Sequence, residues 1–268
     1  MALSKGLLTS LAFPENKVRL VLIGKTGVGK SSAGNTILGS ELFPPVRGFK
    51  SGTEKCNWKF VDLKDLTIEV TDTPGVCDTH RTKEDIQKEI AKCVATVTPG
   101  PHAVLMVFKG GDRFTHEEGL AYEELKEIFG PELVKHMILV FTGTDNLERD
   151  DIDLPTAVQS APDKLQQVLQ EASGRYVGFN NKASWPERAE QRDQLLKVVR
   201  QVLKNNNDNY YSNELMKMFE KTMQEVEAKS HQDREHIKED VVNENSSFLG
   251  RFFENVKNFV SKHLCEIM

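Results

Sequence analysis

Several features that would assign this chain to a simple class are scarce or absent. Its 268 residues include four cysteines, spaced widely and with no Cys-x-x-Cys pair. Neither a disulfide framework nor a zinc site is therefore expected, and free thiols in the cytosol are the default. No apolar run approaches the roughly 20 residues that cross a bilayer, and the first residues have too short an apolar core for a secretory signal. The net charge of −5 gives no basic surplus for nucleic acid.

What the sequence does contain is a regular alternation of apolar and amphipathic segments. Strands are predicted over Val18–Ile23, Cys56–Leu63, Leu66–Thr71, His102–Phe108, His136–Thr142 and Arg175–Phe179. Helices are predicted over Arg81–Val97, His116–Phe129, Pro155–Ala172 and Glu187–Lys204. Such alternation is typical of an α/β fold whose mostly parallel six-stranded sheet has helices on both faces. The short turn between the second and third strands indicates a hairpin.

Three segments are expected along the chain. We predict an N-terminal arm over 1–17, a main domain over 18–207 and a C-terminal helical extension over 208–268, with the boundary at three consecutive asparagines. Within the extension, Glu214–Glu244 is dense in Glu, Lys and Gln and indicates a solvated helix.

One motif near the start points to a phosphate ligand. The segment fits G-x-x-x-x-G-K-[ST] and consists of Gly24, Lys25, Thr26, Gly27, Val28, Gly29, Lys30 and Ser31, with Ser32 next. It lies between an apolar strand and a helix, where backbone N–H groups and the helix N-terminus converge on an anion. Lys30 would reach the β- and γ-phosphates, and Ser31 would bind Mg²⁺. The alternative is an ordinary glycine-rich turn.

A second motif, Asp72-Thr73-Pro74-Gly75, follows the third predicted strand. There Asp72 would orient Mg²⁺ and the N–H of Gly75 would sense the γ-phosphate, so that loss of this phosphate moves the following loop. Alone the motif is also compatible with a simple turn, but after a complete phosphate loop it indicates a nucleotide switch.

Base selection is assigned to Asp145, just after the fifth predicted strand. Its carboxylate would accept both N–H groups of guanine's Watson–Crick edge, which adenine does not offer, so Asp145 conflicts with an ATPase. The alternative is a helix-capping or turn aspartate. Asn180 and Asn181 follow the last strand, where a loop would close over the base.

These residues resemble a known family, the GTPases of immunity-associated proteins (GIMAP), which lie near the septins and the chloroplast outer-envelope import GTPases. The resemblance runs from about Val18 to Leu215. It includes the segments 24–39, 53–56, 72–75, Gly100-Pro101-His102-Ala103, Gly111-Asp112-Arg113-Phe114-Thr115, 179–183 and 211–215.

The resemblance implies a fold, a ligand set and an assembly. Thr53 would be the switch threonine that contacts Mg²⁺ in the GTP form, and Thr144 and Asn181 would join Asp145 at the base. GTP or GDP with Mg²⁺ would be the ligands, and the nucleotide face would form a homodimer or a GTP-dependent oligomer. Family members usually carry basic residues at positions 143 and 144, where this chain has Gly143 and Thr144.

Catalysis is the open part of this interpretation. Val76 stands where many small GTPases have a glutamine, so intrinsic hydrolysis should be slow. Arg113 is the candidate that would enter a neighbouring protomer's site, and the alternative is an ordinary surface or dimer-contact arginine. His80 and His116 are accessory candidates. A slow GTPase and a GTP-dependent scaffold without hydrolysis therefore both remain.

The carboxyl end carries a further pattern. Apolar residues recur at helical spacing through Phe248–Leu264, and the chain ends in Cys265-Glu266-Ile267-Met268, a loose prenylation motif. One lipid chain holds weakly, and the amphipathic helix would be a second membrane signal. The alternative is that the apolar stripe folds back on the main domain or binds a partner helix. The expected location is the cytoplasm, or the surface of an intracellular membrane.

Overall fold

The computed structural model describes residues 13–44, 53, 55–75, 83–245 and 249–263. Within these ranges six strands form one sheet in the order β2-β3-β1-β4-β5-β6. The strands are β1 Lys17–Ile23, β2 Asn57–Leu63, β3 Leu66–Asp72, β4 Ala103–Lys109, β5 Met137–Thr142 and β6 Tyr176–Phe179. Among the strands described, only β2 runs antiparallel to its neighbour, and it pairs with β3 as a hairpin. The predicted sheet and hairpin are confirmed.

The strand order places a crevice beside β1. This strand pairs with β3 on one side and β4 on the other, in parallel register from Lys17↔Thr67 and Leu20↔Ala103. The chain therefore leaves the carboxyl ends of neighbouring strands toward opposite sides of the sheet. Open α/β sheets bind ligands at such a switch point.

The helices cover both faces of the sheet. They are α1 Lys30–Leu38, α2 Lys83–Val97, α3 His116–Phe129, α4 Thr144–Arg149, α5 Leu154–Gln159, α6 Asp163–Glu171, α7 Trp185–Asn205, α8 Glu214–Ser230, α9 Arg234–Val242 and α10 Leu249–His263. A 3-10 helix spans Pro131–His136. The α3 bounds match the sequence prediction, whereas the short α4 was not predicted.

Two predicted helices are wrong in extent because each is split. The segment Pro155–Ala172 forms α5 and α6, since Pro162 caps α6 and has no N–H to continue the preceding helix. The segment Glu214–Glu244 forms α8 and α9, which are separated at His231, a residue with a left-handed φ of 57°.

The core is divided between the two faces of the sheet. Alternate residues of β1 point to opposite sides: Leu20 and Leu22 pack with α1 and α7, and Val21 and Ile23 pack with α2, α3 and the extension. This alternation follows the period of two in a strand. Both faces are apolar because helices cover both of them.

The extension is not solvated. It packs into the core on the face of the sheet that carries Val21 and Ile23. Leu215, Met216, Phe219, Met223 and Val226 of α8 are all at most 2% exposed. They recur at intervals of three and four residues, the spacing of one helix face, beneath a surface dense in charge. The many charged residues of this segment obscured its apolar packing face in the sequence. The prediction of a solvated helix is wrong.

Charged residues also join the extension to the sheet. Lys238 of α9 is 1% exposed, and its Nζ lies 2.6 Å from Oε2 of Glu69 in β3, a residue 2% exposed. Burial alone would raise the pKa of the Glu69 carboxyl, but Lys238, and after it Lys17, hold this pKa below its ordinary value. Removing one partner of such a buried pair is costly because the other charge is left uncompensated.

A second charged contact lies at the end of α9. Oε1 of Glu244 is 3.0 Å from Nζ of Lys55 and 2.7 Å from Nζ of Lys92 in α2. The Lys92 and Lys55 ammoniums lower the pKa of Glu244 to about 2. The extension therefore contacts the chain just after Thr53.

The final helix folds back on the main domain. Phe252 and Val256 of α10 are fully buried against α2 and α8, and the Phe252 ring stacks on Phe219 with centroids 4.9 Å apart. This is the packing alternative raised for the apolar stripe. Phe248, Leu264 and Cys265 lie outside the described residues. Among those described, no helix combines the length and the apolar content that crossing a membrane requires.

Candidate nucleotide-binding site

The loop after β1 has the backbone that a phosphate cradle needs. Gly27 and Gly29 have φ values of 86° and 91°, and Gly29 caps α1 in the left-handed region, which favours glycine. At Gly24 a Cβ atom would lie 2.4 Å from the Val107 carbonyl oxygen, so this position excludes any side chain. Thr26 and Val28 complete the loop, and Ser32 is exposed in the first turn of α1.

Two side chains hold this loop in shape. The Lys30 ammonium donates to the carbonyl oxygens of Gly24 and Lys25 over 2.9 and 3.0 Å, and Lys30 is only 5% exposed. From β5, Oγ1 of Thr142 donates to the Val28 carbonyl over 2.5 Å. The cation therefore lies across the loop whose amides would bind phosphate.

Three oxygens meet at the edge of the loop, as the prediction for Mg²⁺ requires. Ser31 Oγ lies 2.6 Å and Thr53 Oγ1 3.1 Å from Oδ2 of Asp72, and the two hydroxyl oxygens are 2.9 Å apart. Asp72 Oδ1 is buried and has no hydrogen-bond partner among the described residues. Oxygen donors of this kind suit a hard cation, and an unpartnered carboxylate oxygen is consistent with one.

These oxygens do not form a complete metal site by themselves. Among the described residues, no group of three or more His, Cys, Asp or Glu side chains is arranged to hold an ion. Mg²⁺ commonly binds one or two carboxylates together with substrate phosphates and water. The set therefore fits Mg²⁺ that arrives with a phosphate ligand.

The segment after Asp72 touches the loop directly. A Cβ atom at Gly75 would lie 2.1 Å from Thr26 Oγ1 and 2.7 Å from the Thr26 nitrogen. Thr73 fixes the approach, because its Oγ1 donates to the Leu22 carbonyl over 2.7 Å. A change in the conformation of the phosphate loop at Thr26 would therefore displace Gly75. Val76 and His80 lie outside the described residues.

The predicted base residues lie beyond the end of β5. Thr144 and Asp145 form the first turn of α4, which begins after Gly143 with its left-handed φ of 67°. Asp145 Oδ1 is buried without a hydrogen-bond partner in the described structure, and Oδ2 lies 2.8 Å from Lys182 Nζ. The Lys182 hydrogen bond holds the pKa of Asp145 below its ordinary value. The carboxylate is thus ionised, with acceptor capacity to spare.

The loop after β6 is fixed beside Asp145. Asn181 Oδ1 accepts a hydrogen bond from Thr36 Oγ1 over 2.9 Å, which ties the loop to α1. Arg188 donates to the same Thr36 hydroxyl over 2.9 Å. Sequence reasoning placed Asn181 here but did not find Thr36, Arg188 or Lys182, because their roles depend on contacts between distant segments.

Arg113 occupies the predicted loop ahead of α3. It is exposed, and nothing in the described contacts joins it to the loop or to Asp145 within one protomer. His116, also exposed, starts α3, and the neighbouring Glu117 pairs with Lys25 of the phosphate loop over 3.0 Å. Arg113 therefore lies at the surface, where a second molecule could contact it.

Comparison with known proteins assigns the chain to a family. The AIG1 family profile matches residues 18–231. The chain belongs to the AIG1 family. It is 34% identical over 236 residues to immune-associated nucleotide-binding protein 8 of Arabidopsis thaliana, an alignment covering 84% of this chain and 67% of that protein. It is 34% identical over 187 residues to human GTPase IMAP family member 8, covering 70% of this chain and 27% of that protein.

The predicted GIMAP resemblance is thus confirmed. The chain spans much less than the full length of some relatives. The alignment with Arabidopsis immune-associated nucleotide-binding protein 10, 39% identical over 186 residues, covers 68% of this chain and 40% of that protein.

Solved structures confirm the fold of the AIG1 domain. Toc33 from Arabidopsis thaliana in complex with Mg²⁺ and GMPPNP matches with a TM-score of 0.53 and 19% identity, over 75% of this chain and 89% of that one. A structure of the chloroplast translocon components atToc33 and psToc159 matches with a TM-score of 0.54 and 20% identity, over 75% of this chain and 87% of that one. The sheet and helices are those of a P-loop GTPase G domain.

The burial of Asp72 leads to a stability prediction. Burial, the largest effect, raises the pKa of its carboxyl, against the opposing Ser31 hydrogen bond and Lys30 charge. Because the folded pKa lies above the unfolded one, Asp72 loses stabilising free energy as pH rises through the folded pKa, and asparagine does not titrate. Without nucleotide, Asp72→Asn should therefore be no less stable than the wild type at pH 7. Its free energy of unfolding should be equal to that of the wild type or higher by up to about 1 kcal/mol.

Urea unfolding at pH 7 and pH 4 measures this difference, which should shrink at the lower pH. Exposed Asp112→Asn is the matched control and should change stability by less than about 0.5 kcal/mol at either pH. A clear loss of stability in Asp72→Asn at pH 7 would contradict the account of a strained, buried carboxylate.

Proposed function

We propose that this AIG1 domain is a guanine-nucleotide switch that binds GTP or GDP together with Mg²⁺. The observation that carries the proposal is the meeting of Ser31, Thr53 and Asp72 oxygens at the edge of a phosphate loop crossed by Lys30. The relatives include immune-associated nucleotide-binding proteins and a GTPase, and Toc33 forms complexes with GDP or GMPPNP and Mg²⁺. The names and ligands of these proteins support a guanine nucleotide with Mg²⁺ as the ligand of this chain.

The phosphates would be bound by backbone N–H groups of the loop, by the N-terminus of α1 and by Lys30. Ser31 and, in the GTP form, Thr53 would hold Mg²⁺, with Asp72 behind them. When bound, this ion supplies positive charge that offsets the negative charge of the phosphates. Gly75 lies against Thr26 of the phosphate loop. Loss of a γ-phosphate would therefore change the position of Gly75 and of the segment that follows it.

Guanine would be read by Asp145. Two neighbouring N–H groups of the base require two acceptors. Oδ1, which has no hydrogen-bond partner among the described residues, and Oδ2, which also pairs with Lys182, would supply them. A base without those donors would leave a buried acceptor unpaired, which is the strongest source of discrimination in such sites. Thr144 and Asn181 would line the same pocket.

Replacing Asp145 with asparagine tests this assignment. Asparagine presents an N–H donor where the carboxylate accepted, so Asp145→Asn should lose GDP affinity by at least about 100-fold and gain affinity for xanthosine diphosphate. Fluorescence titration with both nucleotides measures the exchange. The nearby exposed Asp151→Asn should leave both affinities unchanged. Unaltered GDP binding by Asp145→Asn would refute the assignment of the base site.

Hydrolysis and assembly belong to the same proposal. Two nucleotide faces would meet in a homodimer or GTP-dependent oligomer, and exposed Arg113 would enter the partner's site to stabilise charge on the transferring phosphoryl group. Dimerisation is important for the GTPase activity of atToc33 and psToc159, and this property of those proteins supports the arrangement. The second candidate is a GTP-dependent scaffold without hydrolysis, favoured by the valine at position 76.

Turnover at increasing protein concentration separates the two candidates. If Arg113 acts in trans, GTP turnover per protomer should rise with protein concentration, and Arg113→Ala should remove at least about 10-fold of the rate at high concentration. Arg251→Ala, at an exposed arginine of α10, is the control and should leave the rate unchanged. A measurable rate that is independent of concentration and unaffected by Arg113→Ala would refute the role of Arg113. The absence of measurable turnover would support the scaffold.

Membrane attachment through Cys265 is a separate part of the proposal, with a cytoplasmic or peripheral location. Because Phe252 and Val256 are buried in the domain, the lipid would supply most of the membrane affinity. The mass of the C-terminal peptide from animal cells should show a prenyl group and loss of the last three residues. An unmodified, full-length C-terminal peptide would exclude it.

A further inference from the structure

The two positions just before Asp145 carry no charged side chain. Gly143 has no side chain, and its left-handed φ of 67° disfavours any replacement. Thr144 is short and packs against β6, where a Cβ atom at Gly178 would lie 2.9 Å from Thr144 Cγ2. Neither residue supplies a cation near Asp145. Arg149, also in α4, donates to the backbone carbonyl of Asp145 over 3.4 Å, and its charge lowers the pKa of the Asp145 carboxyl less than Lys182 does.

Lys182 brings a positive charge to Asp145 from the loop after β6. Its Nζ lies 2.8 Å from Asp145 Oδ2, with the Lys182 side chain 76% exposed and the Asp145 side chain 21% exposed. The pair thus lies at the protein surface, with its cation toward solvent. Oδ1 of the same carboxylate points inward and is unpartnered within the described structure.

The backbone that carries Lys182 is fixed rather than loose. The Lys182 N–H donates to Asn180 Oδ1 over 3.0 Å, and the Asn180 N–H donates to Gln191 Oε1 of α7 over 2.9 Å. Asn181, between them, is tied to Thr36. The lysine therefore reaches Asp145 from a loop whose position is set by α1 and α7.

We propose that Lys182 is a specificity-determining residue that stays paired with Asp145 while the carboxylate accepts guanine. An ionised carboxylate has about four lone-pair sites, of which guanine would use two and Lys182 one. The lysine keeps the acceptor charged and oriented, so both contacts to the base are charge-assisted and stronger than neutral ones. The inference rests on the proposed guanine-nucleotide function and adds a residue to it.

The competing possibility is that Lys182 blocks the pocket and must leave before guanine enters. In that case its removal would strengthen binding. Sharing is favoured because Oδ2 has a second lone-pair site, and because Oδ1 lacks a partner within the described structure even while Lys182 occupies Oδ2. The two arrangements predict opposite signs for the same substitution.

The test compares Lys182→Met, which keeps the length of the side chain and removes its charge, with Lys182→Arg, which keeps the charge. The full chain is titrated calorimetrically with GDP and with inosine diphosphate, which lacks the exocyclic amino group, in the presence of Mg²⁺. Lys182→Met should weaken GDP binding roughly threefold to tenfold and narrow the preference for GDP over inosine diphosphate. Lys182→Arg should largely restore both.

Two controls separate this role from a general effect on folding. Lys197→Met removes an exposed lysine of α7 and should leave both affinities unchanged. In the nucleotide-free protein, the NMR-measured pKa of Asp145 should rise in Lys182→Met, because Lys182 is the largest cause of its lowering.

The outcomes distinguish the inference from the proposed function. Equal or tighter GDP binding by Lys182→Met overturns the inference alone, as does an equal loss for both nucleotides, which would indicate only a disturbed loop. A wild-type chain that binds neither nucleotide overturns the proposed function and the inference with it.

Discussion

The site depends on the close approach of the phosphate loop to the carboxyl ends of β4 and β5. Gly24 lies so near the Val107 carbonyl that a Cβ atom would be 2.4 Å from it, and Thr142 donates to Val28 at the other end of the loop. These contacts require parallel strands that end at one edge of the sheet. Once the loop is held there, α1 begins at Lys30 and places Ser31 beside Asp72.

The oxygens around Asp72 show what this arrangement costs in stability and why it is retained. A carboxylate that is 1% exposed, with one oxygen unpartnered in the described structure, is unfavourable in the ligand-free chain. Strain of this kind is typical of functional sites and is relieved when a cation or donor arrives. Asp145, whose Oδ1 has no partner among the described residues, repeats the pattern at the base end of the pocket.

Much of this could be predicted from sequence because the signals are local. A buried strand, a glycine loop and a helix start are consecutive in the chain, and so are β3 and Asp72. The predicted strands differ from the observed ones by about one residue at the ends, within the usual uncertainty of assignment. The short α4 was not predicted. The break at Pro162 is a local signal, because proline has no N–H to continue a helix, and the sequence prediction overlooked it.

Contacts between distant segments were the part that sequence could not supply. The pairing of Lys182 with Asp145 joins residues 37 positions apart, and that of Lys238 with Glu69 joins residues 169 positions apart. The packing face of α8 was hidden for a different reason, because its apolar residues are interleaved with many charges. As a result the extension contacts β3, which ends in Asp72, and the chain after Thr53.

Equilibrium binding of GDP and ADP to the purified full chain in the presence of Mg²⁺ tests the central claim most directly. A site whose carboxylate must accept two N–H groups should prefer GDP to ADP by at least about 100-fold. Removal of Mg²⁺ should weaken the binding of GDP. Equal affinity for the two nucleotides, or no binding of either, would contradict the account.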